Sequence, residues 1–139
     1  MIFETHAHYD DKMFDEDRES LLESMQEAGI GRIVNIGADL ASTASSIALA
    51  EKYPFIYAAA GVHPSDAAQL NEHTFQWLSE QTAHEKVVAV GEIGLDYYWE
   101  KDPEVRANQR YWFRRQLNLA REKALPVSIH SRDAAKDTL

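Results

Sequence analysis

Two histidines near the start of the chain have the spacing of a metal site. His6 and His8 belong to an apolar-led segment, residues 2–8, that is typical of a β-strand. Alternate residues of a strand point to the same side, so the two imidazoles are expected to aim at one point. Imidazole suits zinc, manganese, cobalt or iron better than it suits magnesium or calcium. A lone His-x-His is more often just two polar residues of a strand, so a metal site needs further ligands.

Later apolar stretches of the chain also stop at a glutamate or a histidine. Glu92 follows a run of small and apolar residues and lies between Gly91 and Gly94. A carboxylate there is costly unless it is paired or binds a cation, and its two oxygens can bridge two ions about 3.5–4 Å apart. His130 ends another apolar stretch. Taken singly, Glu92 could be a solvated acid and His130 a structural residue. Together with His6 and His8 they predict a metal centre.

Two other residues are predicted to contact a substrate. His63 precedes Pro64 at the end of an apolar stretch, and it could bind a substrate, shape the loop or, least favoured, ligate a metal. Arg132 could bind a substrate phosphate through two parallel hydrogen bonds, or it could form a salt bridge with Asp133. Both residues are interpreted as substrate-binding.

Three features around these residues have alternative interpretations. Asp96 could accept a hydrogen bond from a metal ligand, or it could cap a loop. The aromatic residues 97–99 could form a rim that stacks on a base, although core packing is the more frequent fate of such a run. Glu4 has the same strand parity as His6 and His8, which predicts a side chain that points toward the metal.

Composition and charge restrict the class of protein. The chain has 139 residues, enough for one domain with a core, and 45% of them are hydrophobic. Its net charge of −9 does not favour broad attraction to nucleic acid or to an anionic membrane, so a phosphate would have to be held locally. No apolar run approaches the roughly 20 residues of a membrane helix, and no signal peptide is visible. The absence of cysteine excludes thiolate metal sites and fits a cytoplasmic location.

The apolar patterning predicts alternating strands and helices. Strands are predicted at residues 2–8, 32–37, 55–62, 87–98 and 126–130, and helices at 15–29, 40–53, 71–83, 103–123 and from 131 onward. Continuously apolar strands between helices indicate a parallel sheet, either open and doubly wound or part of a (β/α)8 barrel. The polar residues lie at the carboxyl ends of the strands, as in barrel enzymes, and no Gly-x-Gly-x-x-Gly fingerprint follows the first strand. A complete barrel takes about 250 residues, so we predict a truncated, partial TIM-like barrel with five parallel strands.

These stretches together resemble the TatD family of metal-dependent hydrolases. The motifs that carry the resemblance are Thr5-His6-Ala7-His8, Gly61-Val62-His63-Pro64, Gly91-Glu92-Ile93-Gly94-Leu95-Asp96-Tyr97-Tyr98, and Ile129-His130-Ser131-Arg132-Asp133-Ala134. A helical pattern adds to them, with Gln109, Phe113, Gln116, Leu117 and Ala120, followed by Leu125-Pro126. The resemblance extends from residue 2 to the end of the chain.

The resemblance implies a TIM-like barrel that hydrolyses phosphodiesters, described for the family as a magnesium-dependent and often exonucleolytic deoxyribonuclease. It implies that His6 and His8 ligate one metal, that Glu92 bridges two, and that His130 ligates the second. The chain departs from the family pattern at Glu4, where Asp is usual. The pattern also needs another His and a base-like Asp, both of which would lie beyond Leu139.

The sequence therefore leads to one main expectation and two alternatives. The main expectation is that residues 1–139 are the N-terminal portion of a single barrel domain of a metal-dependent phosphodiesterase, which uses a metal-activated water on DNA or a related substrate. The alternatives are an enzyme acting on amides or lactones, and an inactive fragment that lacks the downstream His and Asp. Two divalent ions are expected per complete site, with magnesium and zinc or manganese both open, and no membrane partner is expected.

Overall fold

The computed structural model describes all 139 residues, and in it five parallel strands alternate with helices. The strands are β1 Ile2–Ala7, β2 Ile30–Ile36, β3 Ile56–Ala60, β4 Val87–Asp96 and β5 Val127–Arg132. The helices are α1 Arg18–Glu27, α2 Leu40–Lys52, α3 Glu72–Gln81, α4 Pro103–Lys123 and α5 Ala135–Thr138. Two short 3-10 helices, Lys12–Phe14 and Pro64–Gln69, follow β1 and β3.

The strands lie in the sheet in the same order as in the chain. All four neighbouring pairs are parallel, from β1 beside β2 to β4 beside β5. A doubly wound sheet would reverse its strand order at a switch point, whereas a barrel adds each strand beside the previous one. The order therefore confirms the predicted parallel β/α arrangement and excludes the doubly wound alternative. The sheet also curls, so that its two outer strands approach each other. Nδ1 of His6 in β1 lies 3.1 Å from Oγ of Ser128 in β5.

Apolar side chains fix the helices on one face of this sheet. Leu22 of α1, Ile47 of α2 and Leu78 of α3 join the buried core that includes Ile33 and Ile56 of the strands. Burial of each such side chain stabilises the fold by about 1.5–3 kcal/mol. A separate cluster seats α4 on β4, with its Phe113 and Ala120 against Ile93 and Leu95. This packing holds the strands rigidly and leaves their carboxyl ends free to carry polar groups.

The first helix begins later than predicted, because the side chain of one arginine organises the segment before it. The predicted helix covered residues 15–29, but α1 begins at Arg18, with Asp17 as its N-cap. The Arg18 guanidinium donates to the carbonyls of Tyr9, Asp10 and Asp11 at 2.6, 3.1 and 2.8 Å. The segment after β1 therefore folds around this side chain as a loop, which the periodicity of apolar residues does not encode.

The end of the chain also differs from the prediction. β5 extends to Arg132, and α5 is a single turn, Ala135–Thr138, instead of a helix from residue 131. The intervening Asp133 adopts a left-handed backbone with φ of 52°, which interrupts both elements. None of the helices combines the length and apolar character needed to cross a bilayer.

Candidate metal centre

Glu92 stands at the centre of a group of histidines that come from three strands or strand ends. Its Oε2 faces Nε2 of His6 at 3.7 Å and Nε2 of His8 at 3.8 Å, while its Oε1 faces Nδ1 of His130 at 3.4 Å. These separations exceed those of hydrogen bonds, which are about 2.7–3.2 Å. They fit two ligands that share one tetrahedral ion, which stand about 3.4 Å apart when each bond is about 2.1 Å.

The nitrogen and oxygen atoms form two clusters that share Glu92. The first cluster consists of His6, His8 and Glu92, and the second consists of His63, Glu92 and His130. Within each cluster one candidate ligand atom per residue lies within 4.8 Å of the others. The structure thus brings together all four residues that the sequence predicted as metal ligands, and it places His63 beside them.

The two histidines of the first cluster are oriented by hydrogen bonds to their outer nitrogens. His8 donates from Nδ1 to the Ile36 carbonyl oxygen at 3.0 Å, which leaves the lone pair of Nε2 directed at Glu92. His6 contacts the Ser128 hydroxyl through Nδ1 at 3.1 Å and also presents Nε2 to Glu92. A partner on the outer nitrogen orients each ring, as in most metal-ligating histidines, and the carbonyl acceptor also fixes the tautomer of His8. The donor set therefore fits a divalent metal ion.

His130 of the second cluster has a carboxylate as its outer partner. Its Nε2 lies 2.9 Å from Oδ2 of Asp96, so Nε2 donates and Nδ1 keeps its lone pair toward Glu92. A carboxylate partner raises the basicity of a histidine ligand. Asp96 is itself held by Gln109, whose side-chain amide accepts from the Asp96 N–H at 2.9 Å and donates to its carbonyl at 3.1 Å.

His63 differs from the other rings because its Nδ1 accepts a hydrogen bond. The backbone N–H of Ser65 donates to this atom at 3.0 Å, so neutral His63 carries its proton on Nε2. Burial, and secondly the neighbouring His130, lower the pKa of His63 from its usual value. The ring is therefore a neutral N–H donor beside the second cluster, which favours the predicted substrate contact over metal ligation.

Arg132 and the aromatic residues after β4 lie beside the second cluster. The Arg132 guanidinium stacks on the Tyr98 ring at 3.9 Å from its centroid, and it forms no salt bridge with Asp133. Tyr98 and Trp99 are exposed, as expected for a rim. Tyr97 is buried, and its hydroxyl donates to Asp137, so the rim prediction is wrong for this residue.

Glu4 lies along its own strand. Its Oε1 accepts from the backbone N–H of His6 at 3.0 Å, and it belongs to neither cluster. Glu4 therefore is not a member of the metal centre, and one of its oxygens is used in a local hydrogen bond two residues away.

Sequence reasoning named Gln109 and Gln116 only as part of a helical pattern, and it did not predict that buried amides hold the strand ends. Asn35 accepts from the Tyr9 N–H at 2.6 Å and donates to Asp10, which fixes the chain just after His8. Gln116 accepts from the Val62 N–H at 2.8 Å and donates to its carbonyl at 3.2 Å, just before His63. One available signal was the spacing of seven between the two α4 glutamines, which places both on the apolar face of that helix.

Comparison with protein families and relatives places these motifs in a wider group. The family model described as TatD related DNase matches residues 3–139. The chain is 44% identical over 139 residues to the uncharacterized metal-dependent hydrolase YabD of Bacillus subtilis, covering all of this chain and 54% of that protein. It is 34% identical over 133 residues to the 3′-5′ ssDNA/RNA exonuclease TatD of Cronobacter sakazakii, covering 96% of this chain and 50% of that protein.

Solved structures give the same result for the fold. The crystal structure of YjjV, a TatD homologue from Escherichia coli K12, superposes with a TM-score of 0.88 at 35% identity, over 99% of this chain and 53% of that one. The crystal structure of a TatD family hydrolase from Entamoeba histolytica superposes with a TM-score of 0.87 at 25% identity, over 99% of this chain and 52% of that one. The chain thus spans about half the length of these proteins, which agrees with the predicted partial barrel. With the family model matched from residue 3 to residue 139, this chain belongs to the TatD related DNase family.

Proposed function

We propose that this chain is the metal-binding part of a metal-dependent phosphodiesterase that acts on nucleic acid. We also propose that residues 1–139 form the N-terminal portion of a single barrel domain. The observation that supports the proposal best is the position of Glu92, whose two oxygens face different sets of histidine nitrogens at 3.4–3.8 Å. That geometry suits a carboxylate bridging two divalent ions.

The names of the relatives support nucleic acid as the substrate. The Cronobacter sakazakii protein is named as an exonuclease on single-stranded DNA and RNA, and the Bacillus subtilis protein as a metal-dependent hydrolase. The net charge of −9 means that phosphates must be held at the site itself. This requirement agrees with a centre made of metal ligands and a few donors.

Each residue of the site has a role in this proposal. His6, His8, Glu92 and His130 would hold the ions, either magnesium or a transition metal such as zinc or manganese. When bound, a divalent ion supplies charge to a phosphate oxygen and acidity to a coordinated water.

The substrate contacts in the proposal come from His63 and Arg132. His63 would donate from Nε2 to a phosphate oxygen, and its lowered pKa keeps the ring neutral for this role near pH 7. Arg132 would add a positive charge, held beside the second cluster by the Tyr98 ring. No residue of this chain is proposed as the general base.

The proposal is tested by removing the His-x-His pair. Protein stripped of metal is reloaded with magnesium, manganese or zinc, and both metal binding by calorimetry and degradation of end-labelled single-stranded DNA are measured. The double variant His6→Ala/His8→Ala should lose the first metal and the nuclease activity, whereas His73→Ala, an exposed histidine of α3, should lose neither. A double variant that keeps its rate would disprove the ligand assignment.

The alternatives give different outcomes in the same assays. Turnover of amides or lactones without nuclease activity would replace the phosphodiesterase by an amidohydrolase-type enzyme. Metal binding without any turnover would favour an inactive fragment. Sequencing the coding DNA past codon 139 tests the domain proposal, because a continuing frame with a further His and Asp supports it and an immediate native stop does not.

A further inference from the structure

A cavity of about 420 Å³ lies beside the second cluster and has no role in the metal centre. Its walls are the segment after β3 with Pro64 and Ser65, the segment after β4 with Trp99, and the first turns of α4 with Asn108. Cavities at the carboxyl ends of barrel strands are where enzymes of this architecture bind substrates.

Two of the walls are connected directly to the second cluster. Asp96 lines the cavity and bonds Nε2 of His130 at 2.9 Å through Oδ2. Ser65 also lines it, and its N–H donates to Nδ1 of His63 at 3.0 Å. A ligand bound in the cavity would therefore lie next to a ligand bound between His63 and His130.

The mouth of the cavity carries an unusually exposed aromatic side chain. Trp99 is 77% exposed, and its ring meets the Tyr98 ring edge-on at a centroid distance of 4.4 Å. A perpendicular contact of this kind covers at most one face of the indole. Flat aromatic faces of this kind stack on nucleobases.

The charge of the lining determines which part of a nucleotide fits. Glu100, Asp102 and Glu104 contribute to the walls, and the cavity contains no lysine or arginine. Glu100 and Asp102 each use one oxygen to accept a backbone N–H, at 3.0 and 2.8 Å, and keep the other oxygen. Such a lining repels phosphate and accepts hydrogen bonds from N–H groups.

We propose that this cavity binds the base of the nucleotide whose phosphate lies at the second cluster. Stacking on Trp99 would supply affinity. The carboxylate oxygens would prefer bases with an exocyclic amino group, such as adenine and cytosine, over thymine and uracil, whose N3–H lies between two carbonyl oxygens that a carboxylate repels. The inference rests on the proposed function, since it assumes that the substrate is a nucleic acid.

Nucleoside binding without metal tests the cavity separately from the chemistry. Adenosine, cytidine, thymidine and uridine are added to ¹⁵N-labelled protein in EDTA, and the indole signals of its three tryptophans are followed by NMR. Adenosine and cytidine should shift the Trp99 signal with a dissociation constant in the range of about 1–10 mM, while Trp77 and Trp112 stay unchanged. Thymidine and uridine should bind about three- to tenfold more weakly, the effect of one lost hydrogen bond.

A pair of exposed aromatic variants provides the control. Trp99→Ala should weaken adenosine binding roughly tenfold, followed at the side-chain amide of Asn108, and Tyr111→Ala, outside the cavity, should not change it. No Trp99 shift at about 20 mM nucleoside, or equal shifts at all three indoles, would disprove the cavity proposal. Equal affinity for thymidine would disprove the amino preference. Because EDTA removes metal, these results do not depend on nuclease activity, which the His6/His8 double variant tests independently.

Discussion

The two clusters that share Glu92 differ in exposure and in the way their histidines are used. The side chains of His6, in β1, and His8, directly after it, are each 41% exposed, and β1 is an outer strand of the sheet. His130 is 24% exposed, and it is backed by Asp96, which Gln109 holds in turn. Both rings of the first cluster present Nε2 to Glu92, and the carbonyl partner of His8 leaves its Nε2 with a lone pair, whereas the second cluster combines the lone pair of His130 with the N–H donor of His63.

Glu92 is thus shared by two clusters whose other groups differ chemically. The first cluster consists of two imidazoles and a carboxylate, a composition that could hold a metal ion. The second consists of the same carboxylate, one imidazole whose lone pair faces it, and the N–H donor of His63, which we propose as a phosphate contact. We therefore expect changes at Glu92 to affect both clusters and changes to the outer partners to affect only one.

The largest effect is expected from Glu92→Gln. An amide offers one ligand oxygen instead of two and introduces N–H groups toward the imidazoles, so both clusters should lose their metal. We expect affinity to fall by about 100-fold or more, measured by calorimetry with zinc and manganese. Glu122→Gln, at an exposed position of α4, should bind metal normally. Unchanged stoichiometry in Glu92→Gln would show that Glu92 does not connect the clusters.

A matched pair of glycine variants separates backbone strain from the support of His130. Gly29 and Gly94 both have positive φ, of 92° and 147°, but an added Cβ would meet nothing at Gly29 and would overlap the His130 carbonyl at Gly94. We expect Gly29→Ala to cost about 1 kcal/mol in the free energy of unfolding and Gly94→Ala about 3 kcal/mol or more. Urea denaturation measures both, and equal costs would show that β4 and β5 can separate freely at His130.

The outer partners allow each cluster to be weakened alone. Asp96→Asn should reduce metal affinity at the second cluster by about 10- to 100-fold, because the carboxylate partner of His130 is lost. Ser128→Ala should weaken the first cluster, and by less than about tenfold, because the side chain of His6 is exposed and its partner is neutral.

Zinc titrations followed through the imidazole nitrogens of His8 and His130 by NMR distinguish the two sites. Asp17→Asn, at a residue that makes no side-chain cap bond, serves as the control for the charge change. If either substitution shifts both titrations equally, the clusters are coupled through Glu92 more strongly than the geometry implies.

The smallest effect concerns the protonation of His63 in metal-free protein. Its pKa is lowered in the fold, mainly by burial, so the unfolded chain takes up the proton at a higher pH than the folded chain does. The free energy of unfolding should therefore decrease as pH falls below about 6.5, and the decrease should stop below the pKa of His63 in the folded protein. Above about pH 6.5 the ring is neutral in both states and contributes no pH dependence.

An NMR titration of the His63 ring should give a pKa below about 6.5. The pH dependence of the urea midpoint should be reduced in His63→Gln. A pKa at or above the usual value would mean that the ring is accessible and charged at neutral pH, and it would remove the argument for a neutral donor.

Strand patterning and family-like motifs together were sufficient to predict much of the site. His6, His8, Glu92 and His130 were predicted from the sequence as members of one centre, and they lie together at the carboxyl ends of the sheet. The parallel order of five strands was predicted from continuously apolar segments between helices, and it is confirmed. The pairing of His6 with His8 rests on strand alternation, whereas Glu92 and His130 were assigned from their positions at the ends of apolar stretches and from the resemblance to the TatD family.

The outer contacts were decided only by the tertiary structure. His6 meets Ser128 from 122 residues away, His8 meets the Ile36 carbonyl from 28, and Gln116 holds Val62 from 54. No periodicity relates such pairs, because the curl of the sheet and the seating of α4 bring them together. His63 also shows this limit. The sequence indicated its position, but only the turn that begins at Pro64 makes its Nδ1 a hydrogen-bond acceptor. The sequence thus indicated which residues stand at the strand ends, and the packing decided which of their atoms are hydrogen-bonded and which face Glu92.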